Sequence, residues 1–295
     1  MDQAENLRNI VKQNAVLNES LARVITVTSG KGGVGKTSVS VNLAIQLSKL
    51  GKRVIILDAD FGLANIEVML GIRPKYTLAD VILRGMDLKE VITTGPENIG
   101  FLSGGSGIKE FANMTSSQVA VFVRKLYELD NMADVIIIDT GAGISDTVME
   151  FVVASSEVIV VATPEPTSIT DAYSLLKTLK RKVNFDEQNT AIRVVGNRVR
   201  KNEDGEELFQ KLGVVVRKFL DIDIELIGLI PYDDKCQLSI MKQSPVSLEY
   251  PEAPSSRAFR TLAGKLTSQD TETDAVKQGG IRALFSNVIR LNLKK

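Results

Sequence analysis

The sequence predicts an α/β fold, a mostly parallel β-sheet covered by helices on both faces. Two observations carry that prediction. Short, continuously apolar runs alternate with segments of helical periodicity along most of the 295 residues, and strands that are apolar throughout belong to sheets covered on both faces. In addition, the glycine-rich stretch TSGKGGVGKTS, at 28–38, stands between the first such run and the first helical pattern.

The first strand is RVITVTS, 23–29, a short β-branched run. The helix after the glycine-rich loop reads SVSVNLAIQLSKLG, with Val41, Ala44, Ile45 and Ser48 at helical spacing and Gly51 as its stop. Further strands follow as RVIILD (53–58), NIGFLSG (98–104), ADVIIIDT (133–140), EVIVVAT (157–163), AIRVVGN (191–197) and IELIGLIP (224–231). Helices between them include SSQVAVFVRKLYEL (116–129) and SITDAYSLLKTLKR (168–181). Ligands of such sheets bind at the C-terminal ends of the strands, where several polar motifs of this chain fall.

Composition excludes much chemistry. Lys plus Arg equals Asp plus Glu at 36 each, so bulk charge gives no reason to expect nucleic acid as a partner. Histidine is absent, which removes His acid–base catalysis, the Ser-His-Asp triad and His metal ligands. Cys236 is the only cysteine, so an internal disulfide or a cysteine-held metal cluster within one chain is excluded. The polar start MDQAENLRNIVKQN predicts no signal peptide, and no apolar run is long enough to span a bilayer. A cytoplasmic protein is expected, at most peripheral on the inner face of the cell membrane.

Residues 30–37 fit G-x-x-x-x-G-K-[ST], with Gly30, Gly35, Lys36 and Thr37 in the required places, between a strand and a helix. In such a loop, which here comprises Gly30, Lys31, Gly32, Gly33, Val34, Gly35, Lys36, Thr37 and Ser38, successive backbone N–H groups turn toward one anion. Lys36 is expected to reach the β- and γ-phosphates and the Thr37 hydroxyl to bind Mg²⁺. RVIILD runs into DADFGLANIEVML. With no histidine in the chain, a carboxylate is the available group to orient an attacking water; Asp60 is the candidate, with Asp58 assigned to the Mg²⁺ shell. VIIIDTGAG ends a strand at Asp139, the pattern of an acid that holds a Mg²⁺-bound water. Gly141 and Gly143 suit a mobile loop that senses the γ-phosphate. Asn197, after VVG, offers an amide donor and acceptor to adenine, and Pro231 with Tyr232 offers a wall for the base.

The loop KGGVGKT, with its early second lysine, resembles the deviant phosphate loop of the MinD/ParA superfamily of ATPases, P-loop NTPases of the SIMIBI type. The resemblance covers about residues 23–266. It implies ATP and Mg²⁺ as cofactors, a homodimer when ATP is bound, and weak Mg²⁺-dependent hydrolysis. It places Lys31 across the dimer interface on the partner's phosphates, like an arginine finger supplied in trans, so that Lys31, Lys36 and Asp60 form the catalytic set. DADFGLANIEVMLG is similar to the family's D-x-D-x-G-L-x-N and carries Asp60 over as the water-orienting residue. DTGAGI departs from the more usual D-T-P-A-G-I, with Gly141 in the proline's place, which implies a looser loop. In TPEPTSITDAY, Glu165 is expected to approach the partner's nucleotide. A single cysteine argues against the iron–sulfur carriers of the superfamily, the lack of a tyrosine-rich tail against its tyrosine kinases, and neutral charge against its DNA partitioners.

The chain ends narrow the branch. DQAENLR, 2–8, is similar to the D-Q-A-x-x-L-R element of the FlhG-type regulators of flagellar number and placement. That resemblance implies an N-terminal helix, with Asp2, Gln3, Ala4, Leu7 and Arg8, that activates an FlhF-type GTPase of the signal-recognition-particle class; it also admits flagellar basal-body (C-ring) components as partners. At the other end, Ile281, Leu284, Phe285, Val288 and Ile289 share one helical face, and residues 281–295 carry four positive charges and no acid. Fifteen helical residues span about 22 Å, short of the roughly 30 Å hydrocarbon core, so this helix is expected to lie on an anionic membrane surface; the alternative is a last helix packed on the core. The expected organisation is an N-terminal arm at 1–21, an ATPase domain at 22–266, a polar linker at 267–280 and an amphipathic membrane-targeting helix at 281–295. The function expected is a dimerising ATP switch of flagellar placement; the alternatives are a MinD-type cell-division regulator, a ParA-like DNA partitioner and a nucleotide-loaded scaffold with negligible turnover.

Overall fold

The computed structural model describes residues 21–60, 65–105, 125–268, 281 and 284. The chain opens with β1 (Arg23–Ser29), α1 (Lys36–Lys49), β2 (Val54–Ala59), α2 (Asn65–Leu70), α3 (Leu78–Arg84) and α4 (Leu88–Val91). It continues through β3 (Thr93–Thr94), β4 (Gly100–Leu102), α5 (Leu129–Met132), β5 (Val135–Ala142), α6 (Asp146–Ala154), β6 (Glu157–Ala162), α7 (Pro166–Lys180), β7 (Ala191–Val199) and α8 (Asn202–Leu220). It closes with β8 (Glu225–Pro231), α9 (Asp234–Met241), α10 (Val246–Glu249) and α11 (Pro254–Ser268).

The strands form one sheet in the order β3-β4-β2-β5-β1-β6-β7-β8. Every pairing is parallel except β3 with β4. The parallel sheet expected from the apolar runs is therefore present, with an antiparallel edge that two threonines gave no periodicity to reveal. One face packs on α1 and α11 through residues such as Leu43, Ile45, Phe259 and Leu262. The other carries α6, α7 and α8 over β6 and β7, and α3 to α5 over β2 and β5. α1 is buried along most of its length, polar Ser40, Asn42 and Gln46 included, so its apolar residues mark no single face.

Register places the site. Asp58 at the end of β2 lies beside Asp139 of β5, and Val27 of β1 lies beside the same Asp139. The loop from β1 to α1 thus emerges next to two strand-terminal acids. At the opposite end of the sheet, Glu157 accepts from both Arg23 and Arg193, and Arg23 also donates to the Leu266 carbonyl at 2.6 Å. This buried network ties β1, β6 and β7 to α11.

The structure describes the expected membrane face only at Ile281 and Leu284. Ile281 and Leu284 are 0% and 1% exposed, packed in the cluster of α3 to α5, β2 and β5. The Ile281 N–H donates to the Asp130 carboxylate at 2.8 Å. Two large apolar side chains and a backbone donor are satisfied inside the domain, so this part of the face is closed to lipid in this conformation. Phe285, Val288 and Ile289 lie outside the described residues, as do Asp2, Gln3, Ala4, Leu7 and Arg8 of the arm. Among the described residues no helix is long and apolar enough to cross a membrane.

Candidate functional site

A cavity of about 810 Å³ opens at the C-terminal ends of the strands, lined by the phosphate loop, the ends of β2, β5, β7 and β8, and one side of α9. Two glycines of the loop are demanded by contact. A Cβ on Gly30 would stand 2.1 Å from the Asp171 carbonyl of α7, and one on Gly35, at φ +90°, would stand 2.4 Å from Asn197 Nδ2. Lys31, Gly32, Gly33, Gly35, Lys36, Thr37 and Ser38 all reach the cavity wall, whereas Gly30 and Val34 stand behind it.

Asp139 is the electrostatic centre beneath the loop. It is wholly buried, accepts from Thr37 Oγ1 at 2.7 Å and Ser40 Oγ at 2.8 Å, and lies 3.9 Å from Lys36 Nζ. Burial raises its pKa, while Lys36, Thr37 and Ser40 pull it back without cancelling the rise. Asp58 is pushed up from its ordinary 3.8 to about 8, first by burial and then by the charge of Asp139. Two adjoining buried acids of raised pKa are poor partners for each other and good ones for a cation. Among the described residues no three His, Cys, Asp or Glu side chains form a metal cage. The donor set fits Mg²⁺, which takes a few protein oxygens, waters and phosphate oxygens rather than an all-protein shell. Thr37, Asp58 and Asp139 would hold it, directly or through water, and when bound it would neutralise phosphate charge.

The sign of the Asp58 shift gives a prediction. A carboxyl whose folded pKa exceeds its unfolded value contributes stability at low pH that is lost as pH rises through the folded value. The nucleotide-free protein should therefore lose thermal stability between mildly acidic pH and about 8. Mg²⁺-nucleotide binding should release a proton near neutrality. Calorimetry in buffers of different ionisation enthalpy checks this; heats independent of the buffer would contradict it.

Asp60 stands at the cavity wall. Its Oδ2 accepts from Asn65 Nδ2 at 3.1 Å, and its backbone N–H donates to Asp58 Oδ1 at 3.1 Å. Lys31 lines the cavity, and its Nζ lies 3.0 Å from both Glu165 Oε2 and Thr167 Oγ1 at the start of α7. Glu165 thus holds its own chain's lysine here.

The base end differs from expectation in one respect. Asn197 donates from Nδ2 to the Val34 carbonyl at 2.7 Å and accepts at Oδ1 from the Arg198 N–H at 2.9 Å. Its first task is to brace the phosphate loop, leaving one N–H and one lone pair for a base. Pro231 and Tyr232 line the cavity as expected, and Arg200 stacks on the Tyr232 ring at 5.7 Å. Sequence reasoning missed Ser40, Asn65, Arg198 and Asp233. Ser40 is three residues from Thr37, hence on the same helical face, and Asn65 closes the D-x-D-x-G-L-x-N pattern without having been given a role. Arg198, at φ +56°, is in the left-handed region that few non-glycine residues adopt; no pattern in the sequence marks it. Asp233 accepts from the Lys235 N–H and from the Ser255 N–H and hydroxyl. Burial would raise its pKa, but these bonds outweigh burial and hold it low.

Comparison with known proteins agrees with this geometry. The ParA family model described as NUBPL iron-transfer P-loop NTPase matches residues 20–267. The antiactivator FleN of Pseudomonas aeruginosa is 44% identical over 246 residues, 83% of this chain and 86% of that protein. The flagellum site-determining protein YlxH of Helicobacter pylori is 30% identical over 291 residues, 97% and 96% of the two chains. The septum site-determining protein MinD of Pyrococcus horikoshii, solved with Mg-ADP, superposes with a TM-score of 0.66 at 26% identity, covering 86% of this chain and 100% of that one. With phosphate loop, paired strand-end acids and sheet order in place, the chain belongs to the ParA/MinD family of P-loop NTPases and is an ATPase.

Proposed function

We propose that this ATPase is a flagellar number and placement switch. ATP closes two copies face to face, closure favours membrane attachment and presents partner surfaces, and slow hydrolysis reopens the dimer. The observation that carries the switch is Lys31. A loop lysine that lines the nucleotide cavity has its ammonium held by Glu165, a residue that does not line it. Both side chains are partly exposed, at 37% and 58%, and exposed ion pairs are weak. The lysine is easily lent to a second copy. The likeness to FleN and YlxH supports the flagellar reading over cell division or DNA partitioning. Iron transfer is not proposed, because one cysteine per chain offers no cluster.

ATP is the proposed nucleotide. The ATPase family to which the chain belongs supports that choice. In the reaction Lys36 meets the β- and γ-phosphates, Asp60 orients the attacking water, and Lys31 of the second copy stabilises charge on the transferring phosphoryl group.

Membrane attachment has to release Ile281 and Leu284. Burying two such side chains is worth about 1.5–3 kcal/mol each, comparable to the marginal interfacial binding of one short anchor. One tail therefore gains little by leaving its site. Two tails on one dimer gain roughly 10² or more in avidity. Anionic vesicles should pellet the ATP-bound dimer and leave the ADP form in solution; equal pelleting with both nucleotides would contradict gating by the dimer.

The flagellar assignment is tested with the arm. A peptide of residues 1–20 should accelerate GTP hydrolysis by an FlhF-type GTPase, and Gln3→Ala should blunt the effect. If the full-length protein stimulates and the peptide does not, the activating surface lies in the ATPase domain instead.

A further inference from the structure

Gly141 occupies a place where flexibility does not explain a glycine. It is the penultimate residue of β5, and its φ lies outside the left-handed region, unlike Gly143 at +91°. Space explains it. A Cβ at 141 would stand 3.3 Å from Asp60 Oδ1, 3.8 Å from Asp60 Cγ and 3.4 Å from Val148 Cγ2. It would meet Val148 in ordinary contact and the Asp60 carboxylate oxygen a little closer than that.

Which neighbour yields decides the effect. Val148 is 4% exposed and held in the core on α6, whose first turn is capped by Ser145. Close-packed interiors resist shifts of a few tenths of an ångström. Asp60 is only half-buried, and its side-chain carboxylate is held through Oδ2 by Asn65. The carboxylate is the softer of the two neighbours and moves.

We propose that Gly141 is a positioning residue for Asp60. In this chain, which lacks the more usual proline here, the missing side chain lets Oδ1 rest over the end of β5 while Asn65 holds Oδ2, and this fixes where its carboxylate meets the attacking water. The inference rests on the reading of Asp60 as the water-orienting residue. Misplacing a reacting group by about 1 Å can cost about 10² in rate, so a smaller shift should cost about tenfold.

The test is steady-state and single-turnover ATP hydrolysis by full-length Gly141→Ala, Asp60→Ala and the double variant, with nucleotide affinity measured separately. Gly141→Ala should lower kcat by about tenfold while KM and ATP affinity stay within about twofold. In the Asp60→Ala background it should have no further effect. Val148→Ala, which opens space on the other side of the new Cβ, should restore most of kcat to Gly141→Ala. A Gly141→Ala protein with parental kcat, or an equal loss with and without Asp60, overturns the proposal. If Asp60→Ala itself hydrolyses at the parental rate, the role given to Asp60 fails and this inference fails with it. A slow Asp60→Ala beside a fast Gly141→Ala removes only the role of Gly141.

Discussion

Lys36→Ala is expected to weaken nucleotide binding by about 30-fold or more, from the roughly 2–5 kcal/mol that truncating one partner of a buried charge pair costs a complex. The side chain is 8% exposed, and its Nζ is 3.9 Å from Asp139. It is the cation that pulls the Asp139 pKa back. Without it the phosphates face two buried acids and no compensating lysine from their own chain. Titration with a fluorescent ATP analogue measures the loss. Affinity within a few-fold of the parent would mean that the loop's backbone N–H groups carry the phosphates alone.

The second large effect belongs to Lys31. Replacing it with alanine should leave ATP binding by the monomer nearly intact and cut hydrolysis by about 10³-fold, the lower range for a finger residue supplied in trans. Fold stability should hardly change, because the pair it forms with Glu165 is partly exposed and such pairs contribute little. Loss of stability together with loss of activity would point to a structural lysine; unchanged hydrolysis would remove it from the reaction.

What the sequence disclosed was local. The phosphate loop is nine consecutive residues between a strand and a helix, so both its identity and its geometry are written in one window. The strand-end acids Asp58 and Asp139 were legible for the same reason, since apolar runs mark where strands stop. The tie between them was legible only in principle: their adjacency depends on β5 inserting between β1 and β2. Asn197 bracing Val34 spans 163 residues, and Asp130 holding Ile281 spans 151. Such contacts leave no periodic trace. The apolar stripe that begins at Ile281 shows the same limit: a stripe that suits a lipid surface equally suits a groove in the protein's own core, and only the fold shows that Ile281 and Leu284 fill one. At Gly141 a glycine's two uses, freedom and space, look alike until the neighbouring atoms are placed.

The central claim is that ATP assembles two copies through Lys31. Sizing by light scattering, on the hydrolysis-deficient Asp60→Ala protein, tests it most directly. The account predicts a monomer with MgADP, a dimer with saturating MgATP at micromolar protein, and a monomer again with MgATP when Lys31→Ala is added. A monomer with MgATP before that addition, or a dimer that persists after it, would contradict the account.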